Sequence, residues 1–256
     1  MALLKESVCD HLRYKVFDTR EAMGACAGTE IAERLKALLR EKEEVNVMFA
    51  AAPSQNETLR TLTEDPDIEW ERVNAFHMDE YVGLDEDHPA GFRNFLKKAV
   101  FSKKNFKSVN LINGNAKDAK QEAERYSGLL KSHPLDICVL GVGENGHIAF
   151  NDPPVADFAD GKLVKVVELE TRCRMQQVHD GCFREPDEVP THALTVTIPG
   201  LCAAKWLFCS VPAATKAEAV DRMIHGPVGT ECPATILRQQ PHAVLYTDKE
   251  AGASLL

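Results

Sequence analysis

The stretch "LDICVLGVGENGHIAFNDPP", residues 135–154, carries the decisive reading. Four apolar positions run straight into a Gly-rich turn, and the turn holds one histidine, Asn145, Asn151 and Asp152. A short apolar run ending in such a turn reads as a buried strand whose C-terminal loop meets a ligand. The same grammar recurs along the chain. "VNVMFAAA" leads into the polar loop "PSQNETLRTL", and "WERVNAFHMDEYVGL" places a strand at Val73 to Met78 with acids at its end. "HALTVTIPGLCAAKWLFCSV" supplies two more strand candidates, the second followed by the helical "ATKAEAVDRMIHG", and "HAVLYTD" makes a last short strand. Between them, "REAMGACAGTEIAERLKALLREKEE" spaces Met23, Ile31, Leu35, Leu38 and Leu39 as a helix does. Alternation of this kind predicts an α/β fold: a doubly wound, Rossmann-like, mostly parallel sheet with helices on both faces. No repeat, low-complexity tract or Pro/Ser linker divides residues 1–256, so a single domain is expected.

Composition narrows the function classes. The chain has 256 residues, 44% hydrophobic and 27% charged, with a formal net charge of -9. That balance argues against a nucleic-acid surface, which needs clustered Lys and Arg. No apolar run approaches the ~20 residues of a membrane span, and the first residues lack the pattern of a secretory signal. A cytoplasmic protein with no membrane partner is expected. The eight cysteines form no CxxC pair and read as free thiols, with Cys138 and Cys209 as small core residues.

In an open parallel sheet, ligands bind beyond the C-terminal strand ends. Four loops fall there: Pro53 to Glu57, Asp79 to Tyr81, Gly141 to Asp152 and Ala213 to Lys216. "GVGENGH" matches the GxGxxG spacing of a dinucleotide loop, but it lies deep in the chain and no acid ends the next strand at the expected place. A metal would need partners for His147 and Asp152 in a motif such as HxH or HExxH, and none is present, so neither metal nor organic cofactor is expected. Acid–base work on a sugar uses these residues better. Gly141, Gly143 and Gly146 let backbone approach a ligand, His147 can carry a proton near neutral pH, and Asp152 can orient it. The rival readings are a core histidine and a turn aspartate before Pro153. Of the adjacent acids, alternation along a strand lets Asp79 or Glu80 point into the crevice while the other meets a helix N-terminus or solvent. Ser54 at a helix start can hold a phosphate, and Lys216, at a helix start where a cation is disfavoured, invites an anion or is a solvated surface lysine.

"FHMDEYVGLDEDHP", "LINGN", "GVGENGHIAFNDP" and "ATKAEAV", in this order, resemble the glucosamine-6-phosphate deaminases, also called isomerases. The resemblance runs from about residue 20 to about residue 248, and "MDEYVGL" followed by "GHIAFN" separates the chain from the related 6-phosphogluconolactonases. It implies a cofactor-free conversion of glucosamine 6-phosphate and water to fructose 6-phosphate and ammonia. By position it makes Asp79 the base that moves a proton between C2 and C1, His147 the group that helps open the ring, and Lys216 a phosphate ligand. Asn145 and Asp152 fall where the family commonly has Asp and Glu. Ala52-Pro53-Ser54 replaces a Gly-Gly-Thr phosphate loop, leaving Ser54, Gln55 and Gly141 as the nearby ligands. Gln177 falls at or near the place of a phosphate-binding arginine, for which Arg172 or Arg174 is the expected substitute. Only Lys162 and Lys165 stand where some members have a basic allosteric site, so strong activation by N-acetylglucosamine 6-phosphate is not expected. A homo-oligomer is compatible with the resemblance. The rival functions are a deaminase for galactosamine 6-phosphate, a non-catalytic sugar-phosphate sensor, and a lactonase-like hydrolase.

Overall fold

The structure, a computed structural model, describes residues 2–256. Eight strands form the main sheet: β1 (Leu3–Cys9), β2 (Leu12–Phe17), β3 (Val45–Phe49), β4 (Val73–His77), β6 (Ser108–Asn110), β7 (Ile137–Leu140), β10 (Trp206–Val211) and β11 (Ala243–Asp248). Their order is β1-β2-β11-β10-β7-β3-β4-β6, with every neighbouring pair parallel except the β1–β2 hairpin at one edge. The chain leaves β3 toward β4 and β6 on one side, and leaves β7 toward β10 and β11 on the other. The winding therefore reverses between β3 and β7, the point at which such sheets open a crevice.

Strand alternation sorts the apolar residues onto two faces. Val45, Val47, Phe49, Ile137 and Val139 pack with α1 (Arg20–Glu41), α2 (Asn56–Glu64) and α3 (Phe92–Leu96). Met48, Cys138, Leu140 and Cys209 pack on the other face with α4 (Ala119–Ser132), α6 (Ile198–Cys202) and α7 (Ala217–His225). The expected helices on both faces are present. Thr19 starts α1 by accepting a hydrogen bond from the Ala22 N–H, so the helix begins where its apolar spacing does. Gly24 and Gly28 let α1 lie against α2: a Cβ at Gly24 would come within 2.2 Å of the Glu57 Cβ.

One part of the architecture departs from the reading of the sequence. The two strands of "HALTVTIPGLCAAKWLFCSV" belong to different sheets. The first is β9 (His192–Val196), the centre of a small antiparallel sheet with β5 (Asp79–Tyr81) and β8 (Val164–Glu168). Thr197 caps α6 and Pro199 sits at its start, so the chain turns away before β10 begins. The small sheet matters for the site, because Asp79 is held in register opposite Thr195. Among the described residues, no helix is long and apolar enough to cross a membrane.

Candidate active site

One cleft gathers the C-terminal loops of the sheet. It is lined by Ala50 to Gln55 after β3, Met78 and Asp79 after β4, Gly141 to Gly143 and His147 after β7, and Lys216 after β10. The two strands flanking the winding reversal thus supply two of its walls. Phe92, Phe95 and Phe150 make the apolar side.

Asp79 and Glu80 divide as strand alternation requires. Glu80 turns away from the cleft, and its carboxylate accepts N–H bonds from Phe92 at 3.1 Å and Arg93 at 2.9 Å, capping α3. Asp79 faces the cleft and is 6% exposed. Burial, and then the Glu80 charge, push its carboxyl well above the ordinary aspartate range, with the Phe150 N–H acting in the other direction. A carboxyl so placed is a stronger base when ionised than a solvated one.

His147 is held over Gly143. A Cβ on that glycine would fall 2.2 Å from the His147 Cε1, so no side chain fits there while the ring keeps its place. Nδ1 of the ring lies 2.8 Å from the Asp152 Oδ1, beside the carboxylate rather than in line with it, so the N–H lacks a straight hydrogen bond. Although Asp152 is one methylene shorter than Glu, it reaches the ring because the Ile148–Asn151 bridge folds the loop back and Ala149 adopts φ 48°. Burial alone would raise Asp152, but His147, the Asn145 amide and the Glu170 N–H together hold it below the usual carboxylate range. Asn145 Nδ2 donates to the Asp152 Oδ1 at 3.0 Å and to the Glu170 Oε2 at 2.6 Å, while its Oδ1 accepts from the His147 N–H at 3.1 Å. A neutral amide fits between two carboxylates, where a third carboxylate would be repelled.

The opposite wall is less complete. Lys216 is 5% exposed, lines the cleft, and has no hydrogen-bond partner on Nζ among the described residues. Burial holds its ammonium below the ordinary lysine range, against the charges of Asp180 and Glu144. The turn that carries it begins at Ala213 with φ 83° and ψ 146°, a region that essentially only glycine occupies without strain. Ser54 and Gly141 line the same wall.

Three of the expected ligands have other partners in the fold. Gln55 lines the cleft, but its Nε2 donates to the Ser210 carbonyl at 3.1 Å and the Ser54 Oγ at 3.0 Å, which uses both amide hydrogens. It fastens the turn to β10 and has no donor left for a phosphate. Arg172 pairs with Glu218 at 2.7 Å on the surface, and Arg174 donates to the Pro186 carbonyl at 2.5 Å. Both lie on α5 (Thr171–His179), whose buried face carries Cys173, Gln176 and Gln177 at helical spacing. Residues 172 and 174 fall to either side of that stripe. Gln176, Gln177 and Asp180 line the cleft instead, and Lys216 is the one Lys or Arg that does so among the described residues. Asp180 and Glu170 carried no motif, and only the three-dimensional path of α5 brings them in.

Comparison with known proteins agrees with this architecture. Residues 18–246 match the family described as glucosamine-6-phosphate isomerases/6-phosphogluconolactonase. Glucosamine-6-phosphate deaminase of Listeria innocua serovar 6a is 38% identical over 213 residues, covering 83% of this chain and 88% of the relative. The Bacillus cereus (strain G9842) enzyme of the same name is 34% identical over 184 residues, 72% of this chain and 68% of that one. Among solved structures, a monomeric glucosamine-6-phosphate deaminase superposes with a TM-score of 0.84 at 28% identity, covering 96% of this chain and 99% of that one. The 6-phosphogluconolactonase of Trypanosoma brucei, 17% identical, shares the fold with a TM-score of 0.77 over 98% of this chain and all of its own. With a sheet that reverses at β3 and β7 and a match spanning most of its length, the chain belongs to the glucosamine-6-phosphate isomerase/6-phosphogluconolactonase family.

Proposed function

We propose that the protein is a glucosamine-6-phosphate deaminase, converting glucosamine 6-phosphate and water to fructose 6-phosphate and ammonia. The observation that carries this reading is the sharing of one cleft by the buried Asp79 carboxyl, the His147 ring with Asp152 behind it, and the Lys216 ammonium, which has no hydrogen-bond partner among the described residues. Each meets a different demand of the reaction. His147, with Asp152 beside it, moves the proton that opens the pyranose. Asp79 takes the C2 proton of the open aldose to give an enolamine and returns it to C1. The resulting C2 imine takes up water and releases ammonia, leaving the ketose. Lys216 and the Ser54 hydroxyl hold the phosphate at the far end.

A passive sensor has no use for a buried carboxyl base facing the cleft beside a second proton carrier, and a lactone hydrolase is separated from the deaminase by its product. The test is ammonia release from glucosamine 6-phosphate, galactosamine 6-phosphate and unphosphorylated glucosamine, with hydrolysis of 6-phosphogluconolactone assayed in parallel. Turnover of glucosamine 6-phosphate that is lost in His147→Ala is expected. Lactone hydrolysis without ammonia release, or sugar-phosphate binding with neither, would overturn the reading.

A further inference from the structure

Beneath His147, on the side away from the cleft, the structure brings a thiol to the proton-transfer pair. The His147 ring nitrogen, an Asp152 carboxylate oxygen and the Cys173 Sγ all lie within 4.8 Å of one another, and all three residues are buried. Cys173, on the first turn of α5, is 1% exposed. It is no nucleophile as it stands, since burial and then the Asp152 charge push its thiol well above the ordinary range.

We propose that His147, Asp152 and Cys173 form an internal site for a borderline-soft divalent cation such as Zn²⁺, whose binding switches off proton transfer. Three features fit that class of ion. The donors are one nitrogen, one oxygen and one sulfur, a set that zinc accepts and that hard cations such as Mg²⁺ do not. A tetrahedral ion with bonds of about 2.0–2.3 Å needs its ligand atoms about 3.3–3.8 Å apart, so the 2.8 Å His147–Asp152 approach opens slightly and the thiol closes in. One carboxylate and one thiolate balance the two positive charges, so the bound complex is neutral, which suits a buried position. The surroundings orient the ligands: Asn145 Nδ2 and the Glu170 N–H, at 3.0 and 3.1 Å, fix the Asp152 carboxylate. His147 Nδ1, which has no straight hydrogen bond among the described residues, gains a partner.

The exchange is balanced. The cation takes the thiolate, the thiol proton leaves to solvent, and the ring carries its remaining proton on Nε2. Nδ1 is then committed to the metal, so the ring can no longer become an imidazolium supported by Asp152, and ring opening stops.

The test uses the full chain freed of metal with a chelator. Co²⁺ is added first as an optical probe, because a thiolate ligand gives a charge-transfer band in the near ultraviolet. Zn²⁺ and Mg²⁺ are then titrated against ammonia release. The wild type is expected to show the band, to be inhibited by Zn²⁺, and to be indifferent to Mg²⁺ at the same concentration. Cys173→Ser keeps a hydroxyl toward Asp152 and is expected to keep turnover, lose the band and need at least about 100-fold more Zn²⁺ for inhibition. Cys173→Ala replaces it if the serine variant does not fold. A wild type without the band, or a band and inhibition unchanged in the Cys173 variants, overturns the proposal. The optical titration needs no substrate, so it decides this point even if the deaminase reading fails.

Discussion

The two walls of the cleft are built on opposite plans. On the β7 side, His147, Asn145, Asp152 and Glu170 are tied to one another before any ligand arrives, with Asn145 and Asp152 each making contacts to the other three. On the β3 and β10 side, the Lys216 ammonium is buried with no partner among the described residues, and the turn carrying it is strained at Ala213. The difference teaches a division of labour. Groups that move protons must be oriented before the reaction, since catalysis gains from donors and bases that do not reorganise. A group that binds an anion can wait unsatisfied, because the ligand completes it, and the desolvation cost already incurred strengthens the contact.

The largest effect expected on this contrast is at Asp79. Asp79→Asn removes the base, and ammonia release should fall about 10²–10⁴-fold in steady-state assays. The same change should stabilise the fold. Because the folded pKa lies above the unfolded one, the native state binds more protons between the two values, so this residue costs stability as pH rises through that window. The asparagine protein should lack that loss and melt about 2–4 °C higher at neutral pH, equivalent to about 1 kcal/mol. For the wild type, the acid limb of the kcat/KM profile should lie above the usual carboxylate range, and a limb at ordinary carboxylate pH would mean that Asp79 is solvated in the working enzyme.

Next in size is Lys216→Met. Losing a buried charged contact to the phosphate is worth about 2–5 kcal/mol, or about 30-fold or more in kcat/KM. The ligand-free protein should become more stable at neutral pH, because the variant no longer buries an unpaired ammonium. Its folded pKa is lowered, so the wild type regains stability as pH climbs from the folded pKa toward the unfolded one, and denaturant curves at two pH values should find that gain absent in the variant. Smaller again is Ala213→Gly, which relieves the positive-φ strain and should add about 1 kcal/mol to stability, read as a shift in denaturation midpoint. The smallest effect is expected at Arg172→Ala, where an exposed pair with Glu218 should matter by about 0–1 kcal/mol and kcat/KM should stay unchanged. A large loss of kcat/KM there would restore that arginine to the phosphate site.

Much of the β7 wall was legible in the sequence because its residues sit in one continuous stretch. An apolar run, a Gly-rich turn, a histidine and an acid five residues on were enough to place His147 and Asp152 together. The split of Asp79 from Glu80 followed from strand alternation alone. The other wall was read less well for a physical reason. It is assembled from β3, β10 and α5, far apart in the chain, and which face of α5 turns inward depends on packing that no local pattern encodes. Arg172 and Arg174 carry the charge that a phosphate site asks for, but a helix shows the cleft one stripe, and Gln176 and Gln177 occupy it. The amide of Gln55 looked free in the sequence and is spent on Ser210 in the fold. The small antiparallel sheet was missed because β5 pairs with β9 across more than a hundred residues, Asp79 opposite Thr195, and β5 and β8 meet only through β9.

The most direct test of the contrast between the walls is the melting temperature of wild type, His147→Ala and Lys216→Met, each with and without fructose 6-phosphate at about a hundredfold excess over the wild-type Kd. The account predicts a rise of about 5 °C or more for wild type and a comparable rise for His147→Ala, since the proton-transfer wall is complete without ligand. For Lys216→Met it predicts a rise about a third as large. Equal stabilisation of all three proteins would contradict it, because the phosphate would then owe nothing to the buried Lys216 ammonium.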